Sequence, residues 1–374
     1  MNSLLYSYSL CIALPLMLFF GFYFLFAKTP DKSIYRNYLR SRRTMGVALL
    51  LLSLNYSVHF FFELRFRNVN AAILMNMSTY FLCYWLFSSA MTTLINRFYI
   101  TRRRQRTHIA MWLLFTLLAS LCLIVLPEGK PQKFCMLGLA AWLFSYGIFL
   151  SLRVLRAYHW AQKVFNDTHS DDIGMYIRWM SVFTYWALTF GVGCALLTFL
   201  PDDMVFVWIL SSVPFYICLF CCYLSYLLFY EQVESAMEDE VAFKEDATPC
   251  EPEPVEISYA PSYHTKIAER IKAWTDTEGY VKPGLTIKDL ADDLHTNRTY
   301  LSEYIKTTYD TTFRGWITTL RIDYAKDRMS RHPEQTIAEI SSESGFLSMS
   351  HFMRTFKERE GCSPAKWREN NIAQ

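Results

Sequence analysis

Two segments near the C-terminus place hydroxyl-bearing, amide and basic side chains on one face of a short helix that follows a turn. The first segment covers residues 286–306 and the second covers residues 336–357. In each, an apolar stripe at helical spacing precedes a turn, a capping residue and a second apolar stripe, which is typical of a helix-turn-helix. Side chains arranged in this way can hydrogen-bond to the edges of bases, so the chemistry expected of these residues is the recognition of bases.

In the first segment, a short helix leads to a turn at His295 and Thr296. Asn297 then supplies a side-chain oxygen that can accept from an orphan N–H, which makes it the predicted N-cap of the second helix. The residues predicted to be buried in that helix are Leu301, Tyr304 and Ile305. The residues predicted to face bases are Arg298, Thr299, Ser302 and Glu303, and Asn297 and Lys306 are candidates for phosphate contact.

In the second segment, Gly345 provides a turn residue that tolerates positive φ, and Ser348 is the predicted N-cap. The residues predicted to be buried are Phe352 and Phe356, one turn apart. The residues predicted to face bases are Met349, Ser350, Met353 and Arg354, and Ser348 and Lys357 are candidates for phosphate contact.

The two predicted caps lie 51 residues apart, and an apolar stripe at helical spacing runs between them from Phe313 to Met329. This spacing predicts one connecting helix. Such a helix can hold two recognition helices about 34 Å apart, one DNA turn, so that both enter successive major grooves on one face. Two motifs at this separation are far more specific than one.

These residues resemble the AraC-type DNA-binding domain of bacterial transcription regulators, from about Leu285 to Arg368. The resemblance rests on Leu290-Ala291, Tyr300-Leu301-Ser302, Leu320-Arg321-Ile322 with Ala325, Ile337-Ala338-Glu339-Ile340, Gly345-Phe346, Phe352, Arg354, Phe356-Lys357, and Gly361-x-Ser363-Pro364-x-x-Trp367-Arg368. It implies sequence-specific promoter binding and control of transcription, without catalysis. The chain departs from the family where His295 replaces a frequent glycine, Ser341 a usual alanine and Glu303 a common basic residue.

The first 230 residues are different in kind, with seven apolar stretches that each approach the roughly 20 residues needed to cross a bilayer. None contains Asp, Glu, Lys or Arg. The stretches are Leu4–Ala27, Thr44–Phe62, Val69–Ile95, Ile109–Leu126, Phe134–Leu152, Trp179–Leu200 and Met204–Tyr230. The predicted fold class is therefore all-α: a seven-helix transmembrane bundle followed by an AraC-type domain whose two helix-turn-helix motifs are joined by a long helix.

Lys and Arg mark the cytoplasmic loops of a membrane protein. The loops after the first, third and fifth stretches carry fifteen such residues, whereas the loops after the second and fourth carry four. This asymmetry predicts an extracytoplasmic N-terminus and a cytoplasmic C-terminus. The resemblance to bacterial regulators implies that the membrane is the inner membrane of a bacterium.

The net charge of +3 conceals three regions. Residues 1–230 carry +11, residues 231–260 carry −9, and residues 261–374 carry +1. The middle region is acidic and contains prolines, so a flexible linker between the membrane domain and the DNA-binding domain is expected. The spacing of Val233, Met237 and Val241 would also allow the last transmembrane helix to continue into it.

The membrane domain has three alternative roles: a receptor for an extracytoplasmic or lipid-dissolved signal, an anchor and dimeriser, or a fused transporter or enzyme. The third is disfavoured because its spans lack ionisable residues other than histidine. No cysteine pair has metal-site spacing with histidine, so neither metal nor cofactor is expected. The expected partners are double-stranded promoter DNA, the lipid bilayer and RNA polymerase, with a homodimer as an open alternative. The alternative function is a membrane receptor whose helical cytoplasmic domain binds protein.

Overall fold

The computed structural model describes residues 2–127, 129–197, 202–246 and 261–372. Every regular element in these ranges is helical, so the predicted all-α class is confirmed. This follows from apolar residues that recur at helical spacing and from caps and turns that stop each helix.

The chain forms two compact units. The first, here the N-terminal unit, comprises Met1–Trp160 and Tyr176–Ser235, and the second, the C-terminal unit, comprises Ala161–Met175 and Ala236–Gln374. The short segment Ala161–Met175 therefore groups with residues that follow it by more than sixty positions. Hydrophobic periodicity does not predict this grouping, because the segment lies between two apolar stretches and has the pattern of an ordinary loop.

Eight α-helices account for most of the first 246 residues. They are α1 Asn2–Phe26, α2 Arg36–Phe62, α3 Leu64–Arg67, α4 Val69–Ile95, α5 Arg102–Val125, α6 Lys130–Thr168, α7 Gly174–Leu197 and α8 Asp202–Asp246.

Six helical segments among the described residues are long and apolar enough to cross a membrane. They are Leu4–Phe26, Ser33–Phe62, Val69–Ile95, Arg102–Val125, Lys130–Thr168 and Ile209–Met237. Each overlaps one of six of the seven predicted stretches, with bounds that differ by up to sixteen residues. The remaining stretch, Trp179–Leu200, overlaps α7 but extends into residues outside the described ranges, so the count of seven stays a prediction.

Aromatic side chains join the helices of the N-terminal unit. The buried ring of Phe81 in α4 stacks on Phe115 of α5 at 4.6 Å and on Tyr146 of α6 at 4.2 Å between ring centroids. Stacked aromatic pairs add about 1 kcal/mol to the burial of their area. Three helices are thus packed through one ring.

Arg42 is more than a marker of the cytoplasmic side. It is only 2% exposed, and its guanidinium donates to the carbonyl oxygens of Phe24 at 3.0 Å and Ala27 at 2.5 Å. These carbonyls belong to the end of α1, where a cation is favoured by the helix dipole and satisfies orphan acceptors. Arg42 therefore has two roles: it is one of the basic residues that predict the orientation of the chain, and it caps the C-terminal end of α1.

Helix α8 runs through 45 residues and passes well beyond Tyr230, the predicted end of its apolar stretch. Val233 and Met237 are buried, in agreement with their four-residue spacing. The first part of the acidic linker is therefore helical as far as Asp246, and residues 247–260 lie outside the described ranges.

Seven α-helices follow in the C-terminal unit, together with a 3-10 turn at Gly279–Val281. They are α9 Pro261–Asp276, α10 Ile287–Asp293, α11 Arg298–Tyr309, α12 Phe313–Arg331, α13 Ile337–Glu343, α14 Met349–Glu360 and α15 Pro364–Ile372.

Helix α12 belongs to two cores at once. Its first half contributes Phe313, Trp316 and Ile317 to a core shared with α9, α10 and α11. Its second half contributes Ile322, Ala325 and Met329 to a core shared with α13 and α14. All members of both cores lie between residues 267 and 367, so a fragment covering residues 261–374 contains both of these cores.

Gly345 connects the second core to the first. It adopts φ +78°, and a Cβ at this position would overlap the backbone carbonyl of Val281, in the 3-10 turn before α10. Gly361 has a similar φ of +74°, but a Cβ there would meet nothing within 4 Å. Both positions have a left-handed backbone, but only position 345 has a clash. Substituting the two glycines in turn therefore separates the free-energy cost of the backbone conformation from that of the clash.

We predict that Gly345→Ala destabilises the fragment 261–374 by about 3 kcal/mol or more, since it adds a backbone clash to the strain of positive φ. Gly361→Ala, the matched control, is expected to cost only about 1 kcal/mol. Urea unfolding followed by tryptophan fluorescence measures both values. Equal destabilisation by the two substitutions would show that the contact with Val281 is unimportant.

Candidate nucleic-acid interface

The first helix-turn-helix consists of α10 and α11. Thr286 and Asp289 form a capping box at the start of α10. The hydroxyl oxygen of Thr286 accepts from the backbone N–H of Asp289, and the carboxylate of Asp289 accepts from the backbone N–H of Thr286. The turn then passes through His295, whose φ of +49° is left-handed. The family glycine is replaced here by a residue type that tolerates this region better than most.

Helix α11 begins as predicted. The side-chain oxygen of Asn297 accepts from the backbone N–H of Thr299 at 2.7 Å, so Asn297 is the N-cap. The predicted buried face, Leu301, Tyr304 and Ile305, is buried. Of the predicted outward residues, Thr299, Glu303 and Lys306 are exposed, whereas Arg298 and Ser302 are half-buried.

The second helix-turn-helix consists of α13 and α14, and it repeats this construction. Thr336 and Glu339 form a capping box on α13, and hydrogen bonds from the Thr336 backbone and hydroxyl hold the pKa of Glu339 below its usual value. Ser348 caps α14 by accepting from the backbone N–H of His351 at 3.2 Å. Phe352 is buried in the core, as predicted.

The outward face of α14 is less uniform than predicted. Met349, Ser350 and Lys357 are exposed, and Arg354 is half-buried. Met353 is half-buried and packs against the second core, beside the stripe that Phe352 and Phe356 define. Met353 therefore contributes less to the predicted DNA-facing surface than the exposed Met349 and Ser350 do.

His351, which the sequence analysis did not single out, lies on the inner face of α14. It is 5% exposed and makes an edge-on contact with the ring of Phe346. Burial, aided by the positive charge of Arg314, lowers its pKa to about 4. The imidazole is therefore uncharged at neutral pH, and the charges of α14 are those of its arginine, lysine and glutamate side chains.

One helix connects the two motifs, as the apolar spacing predicts. Helix α12 has 19 residues, which corresponds to a length of about 28 Å at 1.5 Å per residue. Because its two halves belong to the two cores, the recognition helices α11 and α14 are both packed against the same rigid element. Such a pair can read two major-groove segments in fixed register.

The sequence analysis also missed Arg314, in the first turn of α12. Its guanidinium donates to Asn166 Oδ1 at 2.9 Å and forms an ion pair with Asp172 at 3.0 Å. Lys306 and Arg354, both predicted to contact DNA, are paired with Asp167 and Asp172 respectively. The only sequence signal of these contacts is the presence of three aspartates in a loop whose other charged residues are basic.

Residues 290–370 match the helix-turn-helix domain family. Together with the relatives below, this match defines the C-terminal region as an AraC-type helix-turn-helix domain, the DNA-binding part of a class of transcription regulators that are not enzymes.

Three relatives illustrate the similarity. The virulence regulon transcriptional activator VirF of Yersinia enterocolitica is 30% identical over 105 residues, which are 28% of this chain and 38% of that protein. The regulator ExsA of Pseudomonas aeruginosa is 29% identical over 83 residues, 22% of this chain and 30% of that protein. The melibiose operon regulatory protein of Escherichia coli is 31% identical over 85 residues, 23% of this chain and 28% of that protein.

The matched stretches thus span about a third of these relatives' length, and the family match covers residues 290–370 of this chain. No solved structure matches the chain.

We predict different consequences for Arg354→Ala and Lys357→Ala in the fragment 261–374. Loss of a base-reading arginine should relax the preference at one position of the site by about 1–3 kcal/mol. Loss of a phosphate-binding lysine should weaken all sequences alike and reduce the salt slope by about 1. In vitro selection from a random duplex pool, followed by salt titration, distinguishes the two. A uniform loss for Arg354→Ala would reassign it to a phosphate contact.

Proposed function

We propose that this chain is a multi-pass protein of the bacterial cytoplasmic membrane that regulates transcription by binding promoter DNA through its C-terminal domain. The observation that carries the proposal is the combination, in one chain, of six helices able to span a membrane and an AraC-type helix-turn-helix domain. The domain division 1–230, 231–260 and 261–374 belongs to this proposal. So does the orientation with the C-terminal domain in the cytoplasm, where DNA is accessible.

The charge distribution supports this orientation. Fifteen Lys and Arg residues follow the first, third and fifth stretches, and only four follow the second and fourth. Juxtamembrane cations are attracted to anionic lipids of the cytoplasmic leaflet. Promoter DNA and the lipid bilayer are the two partners that the proposal requires. RNA polymerase and a second copy of the chain are further partners consistent with a promoter-bound regulator.

The N-terminal unit also contains a feature suited to a sensor. An apolar cavity of about 130 Å³ is lined by residues from α2, α4, α6, α7 and α8, among them Tyr56, Tyr84, Phe144 and Phe215. Ser212 and Tyr216, beside the helix-interior Pro214, line it too. A small apolar molecule there would contact five helices and could favour one of their arrangements over another. This favours the receptor role over a simple anchor.

The proposal is tested by two measurements on the full chain. With a fluorescent protein fused to its C-terminus, the chain should fractionate with membranes and fluoresce, because the reporter folds in the cytoplasm. Chromosomal fragments cross-linked to it should be enriched for discrete sites, and the enrichment should fall in the double variant Arg354→Ala/Lys357→Ala.

The fragment 261–374 provides the complementary test in solution. It should bind the enriched fragments with an affinity that falls steeply as salt rises, because phosphate contacts release counterions. If neither the fragment nor the full chain binds DNA at low salt, the domain binds a protein partner instead. If the chain is found in the soluble fraction, the membrane part of the proposal is wrong.

A further inference from the structure

The residues Asn166–Asp172, here the acidic segment, comprise the end of α6 and most of its connection to α7, and they belong to the C-terminal unit. Their backbone pairs with the residues immediately before α10. The N–H of Ser170 donates to the carbonyl oxygen of Leu285 at 3.0 Å, and His169 forms a β-bridge with Thr286. The acidic segment is therefore attached to the first helix-turn-helix by main-chain hydrogen bonds, which do not depend on surface side chains.

A buried ion pair fixes the same contact. Arg321 of α12 is 1% exposed and its guanidinium lies 3.4 Å from Asp171, whose side chain is 8% exposed. The Asp171 carboxylate also accepts from the backbone N–H of Gly284 at 3.1 Å. A charge in such a position requires a partner and further hydrogen bonds, and here each group has both. The attachment is thus a built interface with its own buried polar centre.

The two remaining aspartates of the acidic segment are paired with cations of the DNA-reading surface. Asp172 forms an ion pair with Arg354 of α14, and it lies 3.0 Å from the guanidinium of Arg314. Asp167 pairs with Lys306 of α11 at 3.4 Å. In each recognition helix, one residue predicted to contact DNA is therefore paired with the same seven-residue segment.

A carboxylate and a phosphate compete for the same donors. Arginine binds either group through parallel N–H···O bonds, and it reads guanine through the same donor fork. Arg354 cannot be bonded to Asp172 and reach a base edge at once. The repulsion between three carboxylates and the phosphate backbone acts in the same direction.

We propose that the acidic segment is an autoinhibitory element: it occupies the DNA-reading surface through Asp167 and Asp172, and the domain binds DNA tightly only after these contacts are released. This inference rests on the proposed function, since it specifies how the same surface is regulated. The segment includes the last residues of α6 and precedes α7, so it is joined directly to both of these helices.

The effect on affinity follows from the population of the released state. If only a fraction of molecules is released, the apparent dissociation constant rises by the reciprocal of that fraction. Coupling energies of ordinary size correspond to between about fivefold and 150-fold. We therefore expect Asp172→Asn to tighten DNA binding about tenfold, and Asp167→Asn to tighten it less, because Lys306 and Asp167 form a longer and more exposed pair.

The experiment uses the full chain in lipid nanodiscs and a 40-base-pair duplex selected from a random pool by the fragment 261–374, which lacks the acidic segment. Dissociation constants are measured for the wild type, Asp172→Asn, Asp167→Asn and Asp172→Glu. Asp31→Asn is the matched control, because it removes the same charge from an exposed position in the loop between α1 and α2. Tightening by Asp172→Asn, with wild-type affinity for Asp31→Asn and Asp172→Glu, supports the proposal.

Hydrogen exchange of the unmutated chain provides an independent readout. The amide of Ser170, which donates to Leu285, should be protected in the free chain and exchange faster when the duplex is bound. Unchanged protection, or equal or weaker DNA binding by Asp172→Asn, overturns the autoinhibition and leaves the proposed function intact. If neither the fragment nor the full chain selects a duplex, the proposed function fails, and this inference fails with it.

Discussion

The buried guanidinium of Arg321 is the constraint around which the C-terminal unit is organised. It lies in the middle of α12, between the two cores, where an unpaired charge would cost several kcal/mol. Two carbonyl oxygens, of Tyr280 at 2.8 Å and Lys282 at 2.7 Å, accept from it and so fix the 3-10 turn against α12. Its counter-ion, Asp171, comes from the segment between α6 and α7. Burial lowers the pKa of the arginine and raises that of the aspartate, and the charge of each group opposes the shift of the other.

The 3-10 turn held by Arg321 is also where the second motif meets the first. The carbonyl of Val281 leaves no room for a side chain at position 345, so the turn of the second helix-turn-helix packs directly on backbone of the first half. A hydrogen-bonded arginine, a turn and a glycine thus form one continuous contact between the halves. Rigidity of this kind is what a reader with two recognition helices needs, because a change in their separation would move one of them out of its groove.

Local pattern made much of this predictable. Asn297 and Ser348 were recognisable as caps because their chemistry acts within three residues, and Gly345 because a turn of this type needs positive φ. The face of α14 was predicted less well: Met353 borders the buried stripe, and a 3.6-residue period cannot decide whether a border residue packs inward. The pair Arg321–Asp171 spans 150 residues, and no periodicity or capping rule reaches across that separation. The acidic segment was therefore invisible as an interface, although its aspartates were visible as a departure from the basic loops.

The three aspartates of the acidic segment also bear on the low net charge of the C-terminal region. The +1 of residues 261–374 is low for a DNA-binding domain, and the sequence alone explains it either by clustering of the cations on one face or by binding as a dimer. Several of those cations are compensated by acids outside that range: Lys306 by Asp167, Arg354 by Asp172 and Arg321 by Asp171. The surface predicted to face DNA is thus more positive when the acidic segment is absent than when it is attached. The other charged residues of this loop are basic, and the ion pairs of the three aspartates with the recognition domain give a physical reason for their presence there.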